Sequence, residues 1–547
     1  LLGDLKVTEK NGEMIDSVEK LIKSEKAKVP LTGEEIKELV EARIDQARDR
    51  IAPPPPEDIP DRFWDQCLDA GQLGAGIAYA VIHSGQYVYN ATTGEWLKWD
   101  PTKHWDRDDC DTHLAVVENV SAKYAGRAAQ LGEQARRISQ GLEDGDLSKV
   151  LHRQGLFYKE IKKMRSERYR AGIPKFARTN TVKSLSVPGT QFNKKLMFYP
   201  VANGVVDLRS GRLNDSRPSD YFTSASPYNY LGVGKKIIAA NAPKFLDTLS
   251  GTFNGNTELI DFFQRSAGCW LSGLILDNRF WVLSGTGRNG KTVVMETISH
   301  VMGSFARAIP AEMLLEHRIA RSAAAPSPDI MLLKDLRLAI ASESSEGRQW
   351  ASSSVKWLSG GDELVGRSPH DKYLSHFQPT HSLVLLTNNK PQAPAWDSAF
   401  WERMLLIPFT TAFVDRDPQL PHERRANKNL INELKKEGDG ILSWLVEGCL
   451  LWQQRGLDPP PIVLQETEAY RRDEDLLADF IEDCCVLEPV VVTGSTEIYR
   501  AFEAWYLENV GSKTPSQNWL GKQLRRRFER KKIDGRHCYV GIAIQGT

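Results

Sequence analysis

Apolar positions change their spacing along this chain. Between 32 and 51, Ile36, Leu39, Val40, Ile44, Ala47 and Ile51 fall on one helical face behind a Thr32/Glu35 capping box, which predicts an amphipathic helix. Four prolines at 53–56 end it as a stiff polyproline linker. The helix packs in its own domain on the simpler reading and meets a partner or another subunit on the sharper one. Further on, Tyr87-Val88-Tyr89 and Trp96-Leu97-Lys98-Trp99, joined through Thr93-Gly94, predict a hairpin, and 203–211 predicts a second strand-and-turn unit. Residues 113–170 are polar with helical spacing and predict two or three helices.

From about 256 to 412 the rhythm is different. Short β-rich runs at 280–283, 336–341 and 383–386 alternate with helical stretches, as in an α/β sheet covered by helices. Past Asp415 the chain is helical to about 452, then breaks at the prolines 459–461. A basic module follows. Leu520, Leu524 and Phe528 predict the buried face of a basic helix over 520–532, Tyr499, Phe502 and Trp505 fit an earlier helix, and 535–542 reads as a β wing. That order suggests a winged helix, whose Arg525 and Arg526 would meet DNA, with a replication partner as the rival ligand. The expected divisions are 1–58 (helix and Pro-rich linker), 59–245 (α+β), 246–415 (α/β core), 416–475 (helical linker) and 476–547 (winged-helix-like basic module).

Candidate chemistry concentrates in the core. Gly285-Thr286-Gly287-Arg288-Asn289-Gly290-Lys291-Thr292 follows one β-rich run and opens a helical one, the context a phosphate-binding P-loop requires. Its glycines let backbone N–H groups face phosphates, Lys291 would reach the β/γ-phosphates, and the Thr292 hydroxyl would coordinate Mg²⁺. Glu343, ending a second run, would polarise the attacking water and support Mg²⁺, with Glu346 a turn away able to share the role. The bland alternative for both is a solvated carboxylate. Asn388, ending the third run, suits a sensor touching both γ-phosphate and water, and Asn389 suits a turn. ATP and Mg²⁺ are therefore the expected ligands.

Composition narrows the class little. The chain has 547 residues, 41% of them apolar, with 71 Lys+Arg against 71 Asp+Glu. Neutrality neither favours nor excludes nucleic acid, since only a channel or module need be basic. Seven scattered cysteines without C-x-x-C spacing argue against a disulfide framework or zinc site and suit a reducing cytoplasm, the host's if a phage encodes the chain. No apolar run approaches the roughly 20 residues of a membrane span, and no signal peptide is expected. The start at Leu1 suits a fragment or processed form.

The P-loop, Ala341-Ser342-Glu343, Leu358-Ser359-Gly360-Gly361-Asp362, Phe377-Gln378-Pro379-Thr380, Thr387-Asn388-Asn389-Lys390-Pro391 and Phe400-Trp401-Glu402-Arg403 into Leu406-Ile407-Pro408-Phe409 together resemble the phage/plasmid primase–helicase family, and the C-terminal region of poxvirus-type primase–helicases. The resemblance is dense over 280–409 and looser elsewhere, with Trp96, Trp99, Trp105 and 203–211 resembling the domain before the motor. It implies an AAA+-like superfamily 3 helicase core at 246–415, assembled as a ring, usually a hexamer, and translocating 3′ to 5′ on single-stranded DNA at forked duplexes. It also implies a neighbour's arginine finger. The family has two arginines after the Trp where this chain has Glu402-Arg403, so Arg403 is one candidate and Arg367 another. A channel hairpin would fall at 367–373, with His370 and Lys372 meeting DNA. A primase or polymerase is an implied partner. No clustered carboxylates suit priming, so a priming domain would lie upstream of Leu1 in a longer parent. The rival function is an AAA+-type remodeller or replication initiator without processive unwinding.

Overall fold

The uniformly apolar runs become strands buried on both faces. In the computed structural model, residues 59–100, 104–180, 183–316, 327–343, 345–369, 374–512 and 514–545 are described. The amphipathic segment 32–51 lies outside them. Five strands form one parallel sheet: β1 Phe280–Ser284, β2 Ala306–Ile309, β3 Leu338–Glu343, β4 Ser382–Thr387 and β5 Met404–Pro408, in spatial order β5-β1-β4-β3-β2. Side chains alternate between two cores. Trp281, Leu283, Val384, Leu386, Leu405 and Ile407 enter one, and Phe280, Val282, Leu383, Leu385, Met404 and Leu406 the other. Burial on both faces is why these runs read as continuous rather than alternating hydrophobics.

Helix α1 (Lys291–Met302) and the helices Thr257–Ser272 and Gly438–Arg455 cover the first face. The segment expected as a helical linker, 416–475, thus contributes to the main core, with Trp444 against Phe245 and Phe263 at ring distances of 5.1 and 6.3 Å. The second face is covered by Leu314, Leu333, Val355 of helix α2 (Ser352–Leu358), Phe400 of helix α3 (Ser398–Arg403) and Tyr470.

The described residues divide into two compact units, one of 59–84 with 111–185, the other of 85–110 with those from 186 onward. The first is helical. Val117–Ser139 lies along Leu147–Met164, burying Val120, Tyr124 and Ala128 against Phe157 and Ile161, and Arg127 ties it to Asp61 and Asp65 at 2.8 and 2.9 Å. In the second unit the expected hairpin is present as Tyr87–Asn90 paired antiparallel with Glu95–Trp99, and 203–211 belongs to a three-stranded meander.

The C-terminal module corrects one expectation. Helix α4 (Gln517–Leu524) stops before the basic run, and 529–533 is a strand, β6 (Glu529–Ile533), paired antiparallel with β7 (Arg536–Val540). Asp534 and Gly535 take φ of 47° and 78°, the left-handed pair that closes a two-residue hairpin. Tyr539, anchored by its hydroxyl to the Gly521 carbonyl at 3.0 Å, fixes that hairpin on α4, so cross-strand pairing overrides the helical propensity of Arg and Lys. Leu520, Leu524, Phe480, Phe502 and Trp505 form the module's core.

Candidate nucleotide site

Ser284 pairs with Thr387, and Thr387 with Glu343, so the carboxyl ends of β1, β4 and β3 stand in one row. The carboxyl edge of an open parallel sheet, near a switch in strand order, is where such sheets bind ligands. The loop 285–290, Asn388 and Glu343 all leave from that row.

The loop is fixed by close approach. A Cβ on Gly285 would lie 2.2 Å from Asn289 Nδ2 and 2.4 Å from the Phe409 carbonyl oxygen, so glycine is required there. Gly290 turns into α1 at φ 82°, beside Thr252 and Phe413. Thr286 and Arg288 are exposed on the loop, Gly287 is half-buried, and the Arg288 guanidinium lies 3.6 Å from Asp415. Buried Asn289 donates to the Phe409 carbonyl at 3.1 Å and accepts from Lys291 Nζ at 2.7 Å. It therefore ties the loop to the exit of β5 while holding the lysine.

Lys291 also donates to the Gly285 carbonyl at 2.9 Å and to Asn388 Oδ1 at 3.2 Å. Its ammonium thus rests on three neutral oxygens with no carboxylate among them. Burial lowers its pKa to about 8. A buried cation, the N-terminus of the 12-residue α1 and a loop too tight for side chains fit a polyphosphate. Among the described residues no group of three or more His, Cys, Asp or Glu stands ready for a metal. A divalent cation here would draw on Thr292, exposed in the first turn of α1, and Glu343, with phosphate and water completing its shell, a set that suits Mg²⁺.

Glu343 accepts from the Ser345 N–H at 2.7 Å, and its other oxygen lies 3.6 Å from Arg348 Nε. Nε and Nη2 of Arg348 are buried without a hydrogen-bond partner, so that carboxylate is what compensates the guanidinium. The Arg348 carbonyl accepts from Gln392 N–H at 2.7 Å, linking the turn after Glu343 to the segment just past Asn388. Glu346 is exposed in the same turn. Motif spacing places Asn289 in the phosphate loop without a role for its side chain, and Arg348 is not among the expected residues. An amide placed before Gly-Lys was a usable signal for the first, while the second lies in a polar turn that offers none.

Other expected residues fall elsewhere. Arg403 donates to the Lys356 carbonyl at 2.9 Å, satisfying an orphan acceptor at the end of α2 within its own chain. His370 and Lys372 lie outside the described residues. The strands flanking them, Leu364–Gly366 and Ser375–Phe377, do pair antiparallel as a hairpin stem. Arg525 is exposed beyond α4, whereas the Arg526 guanidinium packs over the Trp396 ring at 4.7 Å.

The lysine gives a pH test. Its depressed pKa leaves it neutral in the free protein above about pH 8, whereas a bound polyphosphate favours the charged form. Binding above that pH must then take up a proton. ATP affinity, followed by calorimetry, should be level up to about pH 8 and fall about tenfold per pH unit above it. A level profile through about pH 9.5 would contradict the geometry.

Comparison with known proteins bears out the resemblance. Residues 78–254 match the family model described as D5 N terminal like, a segment ahead of the sheet where motif spacing carried only a loose likeness. A protein of Acanthamoeba polyphaga mimivirus named as a putative helicase is 23% identical over 85% of this chain and 49% of its own length. One of Frog virus 3 with the same description is 25% identical over 59% of this chain and 33% of its own. A putative primase of African swine fever virus is 25% identical over 42% of this chain and 25% of its own length. The chain thus spans about half, or less, of the curated relatives it matches. The solved C-terminal region of NrS-1 aligns at 11% identity with a TM-score of 0.37, over 59% of this chain and 80% of that one.

Proposed function

We propose that this chain is an ATP-hydrolysing P-loop motor of the AAA+-like, superfamily 3 kind, acting as the helicase part of a primase–helicase in viral or other mobile-element DNA replication. The observation that carries this is the Lys291 ammonium, buried and already bonded to Asn388, in the same strand-end row as Glu343. Lys291 and the loop N–H groups would hold the phosphates. Asn388, at an exposed strand tip, would exchange its lysine contact for the γ-phosphate and so report nucleotide state. Glu343 would take the proton of the attacking water, and Arg348 would position that carboxylate. Bound Mg²⁺ would supply charge neutralisation for the transferring phosphoryl group.

Ring assembly, usually hexameric, would bring a neighbour's cation to this site. Arg403 can serve only by leaving the Lys356 carbonyl. His370 and Lys372 would meet single-stranded DNA in the channel, and translocation would run 3′ to 5′. A primase or polymerase is the proposed replication partner.

Single-stranded DNA should stimulate ATP turnover by the purified chain several-fold. Lys372→Ala should keep the basal rate and lose the stimulation. Equal stimulation in both proteins would remove Lys372 from the channel, and none in either would remove DNA as the track.

A further inference from the structure

Charge is sharply divided within the C-terminal module. Residues 476–512 carry seven carboxylates and a single arginine, whereas 513–547 carry nine Lys/Arg and two carboxylates. The fold uses part of that positive charge internally. Arg526 stacks on Trp396 and bonds Gln523 Oε1 at 2.9 Å, and Arg527 pairs with Asp475. Four of the others, Arg530, Lys531, Lys532 and Arg536, lie on the β6–β7 hairpin. Lys532 stands opposite His537 and Arg530 opposite Tyr539, so these four side chains share one face. Tyr539 turns that face toward α4, where Arg525 emerges just past the helix end.

Arg525, Arg530, Lys532 and His537 are all exposed. Glu529 is satisfied on the opposite face by Lys531 at 3.3 Å. His537 is held below its ordinary pKa by desolvation and by Arg530, Lys532 and Arg525, so the cations converge in space. Like charges gathered in this way repel one another, and an anionic partner relieves that repulsion. A row of phosphates spaced along a strand meets several such cations at once, which a single small anion cannot do.

We propose that this hairpin face binds the phosphate backbone of DNA, reading charge rather than base sequence. The inference rests on the DNA-motor reading and deepens it: the hairpin, not the helix preceding it, is the nucleic-acid contact of the module. It assigns contact to Arg530, Lys532 and His537 beside Arg525, and withdraws it from Arg526.

The test compares the 547-residue wild-type chain with the Arg525→Gln/Arg530→Gln/Lys532→Gln variant, and with Arg526→Gln. Anisotropy gives the affinity for blunt duplex and for single-stranded DNA at several salt concentrations. Losing three phosphate contacts should flatten the slope of log affinity against log salt by about 2.7 if duplex is the ligand, or about 2.1 if single strand is. Arg526→Gln should keep the wild-type slope. All substituted side chains are exposed, and an unchanged melting temperature confirms the fold. Unchanged slopes in the triple variant on both DNAs overturn the assignment, as does an equal change in Arg526→Gln, and an acidic protein surface then becomes the partner to seek. Unchanged slopes with intact ATP-driven unwinding sink the hairpin alone, whereas normal ATP turnover in Lys291→Ala sinks the motor reading alone.

Discussion

Lys291→Ala should lose nucleotide binding and, with it, ATP turnover. Among the described residues, the ammonium is the cation that bonds both the loop and Asn388, at 2.7 to 3.2 Å. A charged hydrogen bond is worth about 1.5–3 kcal/mol, and two phosphates would engage this group, so an affinity loss of about 100-fold or more is expected. The substitution also strands Asn289 Oδ1 and Asn388 Oδ1 without their donor. Lys291→Arg should not restore function, because a planar guanidinium cannot meet three oxygens arranged around one nitrogen. Calorimetric titration with ATP measures the loss, and affinity within a few-fold of wild type would contradict it.

Glu343→Gln should separate binding from chemistry. A glutamine oxygen can still accept from the Ser345 N–H, so the strand end keeps its shape. The lost groups are the proton acceptor and the negative charge facing Arg348. General base catalysis contributes about 10²–10⁴-fold, so kcat should fall by that factor while ATP affinity stays within a few-fold. Parallel measurement of kcat and Kd decides it. A large loss of affinity at unchanged kcat would make Glu343 a ligand-positioning group rather than the base.

How much of this was legible in the sequence follows from the range of the interactions. The glycine-rich loop was readable because strand, glycines, Lys and Thr are contiguous. That Glu343 and Asn388 stand beside it depends on the order β1-β4-β3, which joins residues about 50 to 100 positions apart and has no local signature. The hairpin at 529–540 was signalled locally by Asp534-Gly535, but the run of Arg and Lys was read as helix, since those residues favour helices when nothing opposes them. Gly438–Arg455 looked like part of a linker because its partners, Phe245 and Phe263, lie almost 200 residues earlier. The stretch matching a family model, 78–254, carries no chemical motif, so residue-level reasoning found only strands and helices there.

The central claim is that ATP hydrolysis at Lys291, Asn388 and Glu343 drives separation of DNA strands. Its most direct test is single-turnover unwinding of a forked duplex by the purified chain with ATP and Mg²⁺, beside Glu343→Gln. Wild type is expected to separate the strands only when a 3′ single-stranded arm is present, and Glu343→Gln to separate none although it still binds ATP. No unwinding by wild type on any fork, or equal unwinding by Glu343→Gln, would contradict it.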